Sequence, residues 1–207
     1  MTVFLGLTGS IGMGKSTTAN MFREAGIPVH DSDAVVHALY EGEACAAIEA
    51  AFPGTVMDGA VNRTELGRYV LDNPVALKTL EAIVHPLVRQ KEIAFRNGVE
   101  SNHEKLAVLD VPLLFETGGD ARVDGVIVVT APKDVQKTRV LARPGMNENK
   151  FAAILSKQVP DEEKRRRADF IIDTSLGMEH AKQAVGSIIG QVWSARWTVS
   201  KQAKDET

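Results

Sequence analysis

The strongest local signal in the chain is the stretch Val3-Phe4-Leu5-Gly6-Leu7-Thr8-Gly9-Ser10-Ile11-Gly12-Met13-Gly14-Lys15-Ser16. Its first six residues form an apolar run that predicts a buried strand, and residues 16–25 predict a helix that ends at Gly26. Between the two stands Gly-x4-Gly-Lys-Ser, the pattern of a loop that wraps the phosphates of a nucleotide. The stretch therefore predicts a nucleotide-binding α/β fold.

The residue types of this phosphate-binding loop (P-loop, residues 9–16) suit a polyphosphate. Backbone N–H groups can approach phosphate oxygens closely only where Gly9, Gly12 and Gly14 carry no side chain. The following helix directs the positive end of its dipole at the anion. Lys15 is expected to bridge the β- and γ-phosphates, and the Ser16 hydroxyl to ligate Mg²⁺. The residues expected to bind the nucleotide are Gly9, Ser10, Ile11, Gly12, Met13, Gly14, Lys15, Ser16 and Thr17.

The remaining chain alternates between strand and helix patterns. Apolar, β-branched runs at 3–8, 27–30, 106–111, 126–130 and 170–172 predict strands buried on both faces. Helical patterns between them, including 134–142, predict a three-layer α/β/α fold with a five-stranded parallel sheet. A last amphipathic pattern at 179–197 predicts a helix docked on this sheet, with Trp193 and Trp197 in the core.

Two regions interrupt the alternation. Residues 34–105 are mostly helical in pattern and too long for one crossover, so they predict an inserted subdomain in which Pro74 and Pro86 each begin a helix. Residues 133–167 carry an excess of Lys and Arg, which is typical of a solvated helix face or of an anion-binding segment. The polar residues 201–207 predict a frayed tail.

Composition excludes several classes of protein. The 207 residues carry 24 Lys and Arg against 27 Asp and Glu, a net charge of −3 that indicates neither a nucleic-acid nor a membrane-surface partner. Cys45 is the single cysteine, which excludes an intramolecular disulfide. The amino-terminal run lacks a basic n-region, and no apolar stretch is long enough to span a bilayer. We therefore expect a soluble, cytoplasmic protein.

A candidate for handling the phosphoryl acceptor follows the second predicted strand, in Asp31-Ser32-Asp33. Ligands of parallel α/β sheets bind outside the carboxyl ends of the strands. A carboxylate there could hold an acceptor hydroxyl and take its proton. The alternative is that Asp33 or Ser32 only caps the next helix. The Asn-Lys-x-Asp signature of a GTP switch is not found in the sequence.

Together these motifs resemble the dephospho-CoA kinase family. Its members use ATP to phosphorylate the ribose 3′-hydroxyl of dephospho-CoA, which is the last step of coenzyme A synthesis. The resemblance runs in order through nearly the whole chain and rests on residues 6–17, 26–29, 31–33, 58–59, 62–63, 66–67, 80–86, 111–116, 136, 139, 143, 158 and 168–173. It implies two small-molecule substrates, ATP and dephospho-CoA, with Mg²⁺.

The resemblance also implies a division of labour. Residues 1–33, 106–138 and 168–200 would form the nucleotide-binding core, residues 34–105 the CoA-substrate insertion, and residues 139–167 a lid over ATP. Asp33 would activate the acceptor hydroxyl. Arg143, four residues after Arg139 on one expected helix face, would contact the transferring phosphate, and Arg139 would help to hold ATP or its adenine.

Further residues are expected at the substrate site. By resemblance His85 lies near the acceptor pocket, although it could equally N-cap a helix that begins at Pro86. Arg89, one turn later, could reach a substrate phosphate. Residues 111–114 are expected to extend the third sheet strand into the crevice. The lining residues expected from this extension are Leu113, Leu114 and Glu116.

Some positions depart from the family or stay open. Ser10 and Met13 stand where the family is associated with Gly and Ser, respectively. Residue 10 must therefore avoid a backbone conformation that only glycine adopts. Met13 is expected to add bulk at the outer edge of the loop. Asp110 could hold Mg²⁺ through water or cap the strand end. Thr174 replaces an Asn often expected after Asp173.

Two other functions remain compatible with these residues. A nucleoside or nucleoside-monophosphate kinase would share the P-loop and differ in the acceptor pocket. A nucleotide-dependent switch protein would share the P-loop, but it would gain nothing from a large acceptor domain.

Overall fold

The computed structural model describes residues 1–194. The expectations for Trp197 and for the tail at 201–207 lie outside these residues. The strands are β1 (Val3–Thr8), β2 (Val29–Asp31), β3 (Val56–Met57), β4 (Ala60–Val61), β5 (Leu106–Asp110), β6 (Gly125–Thr130) and β7 (Phe170–Asp173). The α-helices are α1 (Lys15–Glu24), α2 (Ser32–Tyr40), α3 (Cys45–Ala51), α4 (Arg63–Val70), α5 (Pro74–Ser101), α6 (Lys133–Leu141), α7 (Glu148–Leu155), α8 (Asp161–Arg167) and α9 (Met178–Trp193). Short 3₁₀ turns lie at Gly119–Arg122 and Thr174–Leu176.

The main sheet has five strands in the order β2-β5-β1-β6-β7. β1 pairs in parallel with β5 and β6, and β6 pairs in parallel with β7. Each sequence run predicted as a sheet strand is one, with ends that differ by no more than two residues. The predicted α/β fold with a five-stranded parallel sheet is therefore confirmed.

The described chain forms two compact units. The core unit comprises Met1–His30 and the described residues from Val99 onward, and the insertion unit comprises Asp31–Gly98.

The core unit buries the apolar side chains of the central strands against helices α1 and α9. Leu5 and Leu7 of β1 and Ile127 of β6 have no exposed surface, because strands in the middle of a parallel sheet are covered on both faces. From α9 the core takes Ala181, Val185, Ile188 and Ile189. These four match the predicted stripe of that helix.

Trp193 departs from the prediction that it packs in the core. It is the last residue of α9 and is 54% exposed, bordering a surface groove near Gly26 and Leu106. A side chain at the end of a helix is covered from fewer directions than one in its middle, so the apolar stripe does not bury this large ring.

The insertion unit contains a small hairpin that the helical pattern did not predict. β3 and β4 pair antiparallel, joined by Asp58 and Gly59 with φ angles of 51° and 80°. Asp-Gly with two positive φ values is typical of a tight type I′ hairpin turn. The dipeptide was therefore a usable signal in the sequence.

The long helix α5 corrects the prediction for Pro86. Pro74 does begin this helix, and Asn73 accepts the N–H of Ala76 as a cap. The helix then runs for 28 residues through Pro86, because Leu80 and Val84 of its inner face stay buried in the core of the insertion unit. Packing of this kind offsets the hydrogen bond that a proline removes.

Candidate active site

The P-loop connects the end of β1 to the start of α1 in the core unit. Gly12 and Gly14 have φ angles of 81° and 92°, a conformation that favours glycine. At Gly9 the constraint is space, because a Cβ there would lie 2.4 Å from Cγ2 of Val129. The three glycines are therefore needed for two reasons, positive φ angles at Gly12 and Gly14 and close approach at Gly9.

The two departures from the family pattern in this loop have different outcomes. Ser10 is not among the described residues with positive φ, as predicted. Met13 does not lie at the outer edge of the loop. It is 2% exposed and belongs to the hydrophobic core that the strands share with α1 and α9, because the loop folds back at this point with the N–H of Met13 bonded to the carbonyl of Ser10.

Lys15, the first residue of α1, faces a carboxylate at the end of β5. Its Nζ lies 2.6 Å from Oδ1 of Asp110, and Asp110 is 1% exposed. A buried carboxylate is costly without a cationic partner, so the two side chains compensate each other. Asp110, for which the sequence left a Mg²⁺ role or a cap open, is thus an ion-pair partner of Lys15.

Two glutamines contact the backbone of the loop at Ile11. The N–H of Ile11 donates to Oε1 of Gln158, and the carbonyl of Ile11 accepts from Nε2 of Gln136. Both glutamines are among the residues that carry the family resemblance, which implied no role for them. No local pattern of the sequence indicates these contacts, because the two glutamines come from distant parts of the chain.

Arg139 lies beside the turn that follows β7. Its guanidinium donates to Oγ1 of Thr174 at 2.8 Å and to the carbonyl of Thr174 at 2.9 Å. Oγ1 of Thr174 in turn lies 2.8 Å from the carbonyl of Met13. Thr174 therefore bridges Arg139 to the P-loop.

Arg143 does not share a helix face with Arg139, contrary to the prediction. Helix α6 ends at Leu141, and Arg143 lies in the turn beyond it, exposed to solvent. The residue before a proline is disfavoured in the α conformation, and Pro144 follows Arg143 directly. The sequence thus contained the signal that ends the helix.

The segment after β5 also differs from the prediction. The strand ends at Asp110, and residues 112–118 form turns instead of extending it. These turns fold Leu114 back into the protein, where it is buried against Gly6, while Leu113 stays exposed. Glu116 accepts the N–H of Val159 at 2.8 Å and pairs with Lys164 at 2.9 Å. Leu114 and Glu116 are therefore internal contacts of the core unit.

A cavity of about 770 Å³ opens beside the P-loop. Its walls come from Ser10 and Met13 of the loop, from the end of β6, and from helices α6, α7 and α8. Phe151 and Leu155 supply apolar surface, and Asp161 and Arg165 supply charge. A cavity of this size with mixed walls is typical of a small-molecule site.

In the insertion unit, Asp31 takes the capping role that the sequence offered to Asp33 or Ser32. Oδ1 of Asp31 accepts the N–H of Ala34 at 3.0 Å. Asp33 lies in the first turn of α2 and is not the cap. His85 and Arg89 lie one turn apart inside α5, so His85 does not cap a helix either.

A cation–aromatic cluster in the insertion unit was not predicted. The guanidinium of Arg63 lies 5.5 Å from the ring centroid of Tyr40 and contacts Nδ1 of His37. Burial raises the pKa of the Tyr40 hydroxyl, and Arg63 opposes that shift. Asn62 caps α4 and so fixes Arg63 in its first turn. The pair Asn62-Arg63 belongs to the motifs behind the resemblance.

Residues 1–194 contain no group of three or more His, Cys, Asp or Glu side chains placed to hold a metal ion. Within the same range, no helix has the length and apolar character needed to cross a membrane.

A parallel sheet whose first strand leads through a glycine-rich loop to a lysine at the start of a helix defines a P-loop nucleotide-binding fold. A shikimate kinase from Bacteroides thetaiotaomicron has this fold, with a TM-score of 0.51 and 15% identity. The chain belongs to the dephospho-CoA kinase family, whose model, described as CoaE, matches residues 3–180.

Individual relatives agree with the family model. A dephospho-CoA kinase from Mesorhizobium japonicum is 63% identical over 94% of this chain and 98% of its own length. The solved structure of a dephospho-CoA kinase from Campylobacter jejuni superposes with a TM-score of 0.72 at 26% identity, covering 95% of this chain and 100% of that one. The chain is therefore an ATP-dependent kinase of coenzyme A biosynthesis, with small-molecule substrates.

Proposed function

We propose that this chain transfers the γ-phosphoryl group of ATP to the ribose 3′-hydroxyl of dephospho-CoA, with the P-loop of the core unit holding the triphosphate. Membership of the family carries the choice of acceptor. The geometry of the loop, with Gly12 and Gly14 at positive φ and Lys15 at the start of α1, supports its role in binding phosphate.

Lys15 is the proposed contact to the β- and γ-phosphates. In the protein alone its charge is balanced by Asp110, so bound phosphate would compete with that carboxylate for the ammonium group. The Ser16 hydroxyl and the Asp110 carboxylate are hard oxygen donors that fit Mg²⁺, Ser16 by direct ligation and Asp110 through water. The metal would neutralise charge on the phosphate oxygens during transfer.

The cavity beside the loop is the proposed site of the nucleotide base. It shares Ser10 and Met13 with the P-loop, and its volume of about 770 Å³ has room for a purine ring and ribose. Arg139 acts here through Thr174, which it holds against the loop. Arg143, in the exposed turn of the 139–167 lid, is the proposed charge that contacts the transferring phosphoryl group on closure.

Asp33 is the proposed general base. Its carboxylate would accept the proton of the 3′-hydroxyl as that oxygen bonds to the γ-phosphorus, and the bond from phosphorus to ADP breaks. The capping bond of α2 supports this role, because Asp31 makes it and the Asp33 side chain is not required for it. His85 and Arg89 of α5 are the proposed contacts to the acceptor, in an insertion unit that serves the CoA substrate. The proposed location of this chemistry is the cytoplasm.

The test is an assay with ATP, Mg²⁺ and dephospho-CoA, with the product examined by phosphorus NMR for a phosphate at the ribose 3′ position. We expect coenzyme A and ADP in equal amounts. A panel of nucleosides and nucleoside monophosphates serves as the comparison. A higher kcat/KM for any member of that panel would assign the chain to another acceptor, and GTP hydrolysis without transfer would indicate a switch.

A further inference from the structure

The two bonds at Ile11 engage both sides of one P-loop residue. The N–H of Ile11 donates to Oε1 of Gln158 over 3.1 Å, and its carbonyl accepts from Nε2 of Gln136 over 2.7 Å. Two consecutive peptide groups are therefore held, one through its donor and the next through its acceptor. Their rotation sets the direction of the N–H groups that follow in the loop.

Each glutamine is suited to the group that it meets. A primary amide presents an acceptor oxygen and a donor nitrogen on one planar group, so Gln158 can accept from an N–H while Gln136 donates to a carbonyl. Glutamate could replace the first of these contacts, but it could not replace the second. The two positions thus have different chemical requirements, which makes the arrangement testable.

Gln136 is fixed by the packing of α6 against the loop. Only 5% of the surface of Gln136 is exposed. A Cβ added at Gly12 would lie 2.5 Å from Cγ2 of Val140 and 3.2 Å from the carbonyl of Gln136. The loop therefore approaches α6 as closely as glycine permits, and the side chain of Gln136 reaches Ile11 across this contact.

Gln158 is fixed by its neighbour in the connection between α7 and α8. The N–H of Val159 donates to Oε1 of Glu116 at 2.8 Å, and the same oxygen lies 2.9 Å from Nζ of Lys164. The Lys164 side chain has no exposed surface. A buried ion pair requires close geometry, so it holds this connection, and Gln158 with it, in a defined place.

We propose that Gln136 and Gln158 are positioning residues for phosphoryl transfer: they clamp the two peptide groups of Ile11 and so hold the P-loop in its phosphate-binding conformation. The inference rests on the proposed function, because the P-loop must hold the triphosphate of ATP. The 156–160 connection thereby affects catalysis through the backbone of the P-loop, and the ion pair Glu116–Lys164 holds this connection in place.

The test combines hydrogen exchange with kinetics on full-length protein. The variants are Gln158→Met, Gln158→Glu and Gln136→Met, with Gln183→Met on the exposed face of α9 as the matched control. By NMR, we expect the Ile11 amide to exchange at least tenfold faster in Gln158→Met and to stay protected in Gln158→Glu, since a carboxylate still accepts this N–H.

Kinetics provide the second readout. We expect Gln158→Met and Gln136→Met each to raise the KM for ATP about five- to tenfold, the loss that one hydrogen bond supports, with the KM for dephospho-CoA changed less than twofold. Gln183→Met should match the unaltered protein in both constants. Equal exchange of the Ile11 amide in all variants, or equal rises in both KM values, would overturn the clamp.

The proposed function is judged separately by the unaltered protein. If that protein does not phosphorylate dephospho-CoA, the proposed function fails. If it does, and the glutamine variants keep its KM for ATP, only the clamp fails. If Gln158→Met does not fold, the other two variants still test the clamp. The clamp requires that the Ile11 amide stay protected from exchange in Gln158→Glu. It also requires that the KM for ATP rise in Gln136→Met.

Discussion

Lys15 at the start of α1 and Asp110 at the end of β5 form an ion pair of 2.6 Å, in which the carboxylate is almost completely buried. The charge of Lys15 thus has a partner within the protein before any phosphate binds. Carboxylate and phosphate are alternative partners for one ammonium group. The pair links the stability of the core unit to its capacity to bind an anion.

The pair can be tested by removing one partner and then both. Lys15→Met leaves Asp110 buried without its cation, so we expect a loss of about 3 kcal/mol in the free energy of unfolding. Adding Asp110→Asn should return part of that loss, while turnover stays low because Lys15 is still missing. Urea unfolding and steady-state kinetics measure the two effects. A double variant no more stable than Lys15→Met would contradict this account.

The role of Asp33 is tested against its neighbour Asp31. Asp33→Asn removes a base but keeps the side-chain shape, so we expect turnover to fall at least about 100-fold with the affinity for ATP unchanged. Asp31→Asn is the matched control, because asparagine caps a helix as well as aspartate does. Calorimetric titration with ATP and initial rates give both numbers. Comparable losses from the two variants would remove the special role of Asp33.

Thr174 is expected to act on ATP binding through its hydroxyl. Thr174→Val keeps the shape of the side chain but removes one of the two acceptors for Arg139, the hydroxyl, and the contact to Met13; the backbone carbonyl of residue 174 stays. We expect the KM for ATP to rise roughly fivefold and stability to fall by about 1 kcal/mol. Thr138→Val is the control, since Thr138 is exposed and the contact described for its hydroxyl is to the carbonyl of Asp134 within the same helix. Identical kinetics in the two variants would show that the bridge is dispensable.

Met13 should behave as a core residue. Replacing it with serine removes a buried apolar side chain and buries a hydroxyl, so we expect Met13→Ser to cost about 2–4 kcal/mol. Met13→Leu, which conserves volume, should cost less than about 1.5 kcal/mol. Denaturant unfolding distinguishes them. If the free energy of unfolding of Met13→Ser equals that of the unaltered protein, Met13 does not act as a core residue.

Glu49 gives the insertion unit a defined response to acid. Its carboxylate accepts the N–H groups of Gly54 and Val56 at 2.6 and 2.7 Å, and these bonds hold the pKa of Glu49 below its usual range. Because the folded pKa is the lower one, the stabilisation is complete above the unfolded pKa of about 4.3 and is lost as pH falls from there through the folded value.

The corresponding measurement compares thermal unfolding of the protein and of Glu49→Gln between pH 7 and pH 3. We expect the protein to be the more stable of the two at pH 7, and the difference in Tm to shrink below about pH 4.3. If the difference in Tm between the two proteins stays constant from pH 7 to pH 3, the effect does not belong to Glu49.

The sequence was sufficient for the parts of the fold that local pattern determines. A buried strand is a short apolar run, so β1 could be predicted from its own residues. The P-loop has glycines where the φ angle or the available space requires them, so Gly12 and Gly14 could be predicted in the same way. Pro144 after Arg143 and the pair Asp58-Gly59 were equally local signals. They correctly indicate a helix end and a hairpin, and the prediction did not use them.

Other features depend on what the rest of the chain brings to them. Pro86 remains inside α5 because the buried face of that helix packs on the insertion unit, which no local rule contains. Leu114 and Glu116 turn inward because Gly6 and Lys164 receive them. Contacts between residues far apart in sequence, such as Gln158 with Ile11, need the tertiary structure.

Met13 gives the phosphate loop and the hydrophobic core a shared side chain, and this creates a constraint on volume. A homologue that carries a smaller residue at this position must fill the vacated space from α1, α9 or a neighbouring strand, or else tolerate a void beneath its loop. Substitutions in those helices are therefore expected to co-vary with position 13 during divergence, even where they touch no ligand.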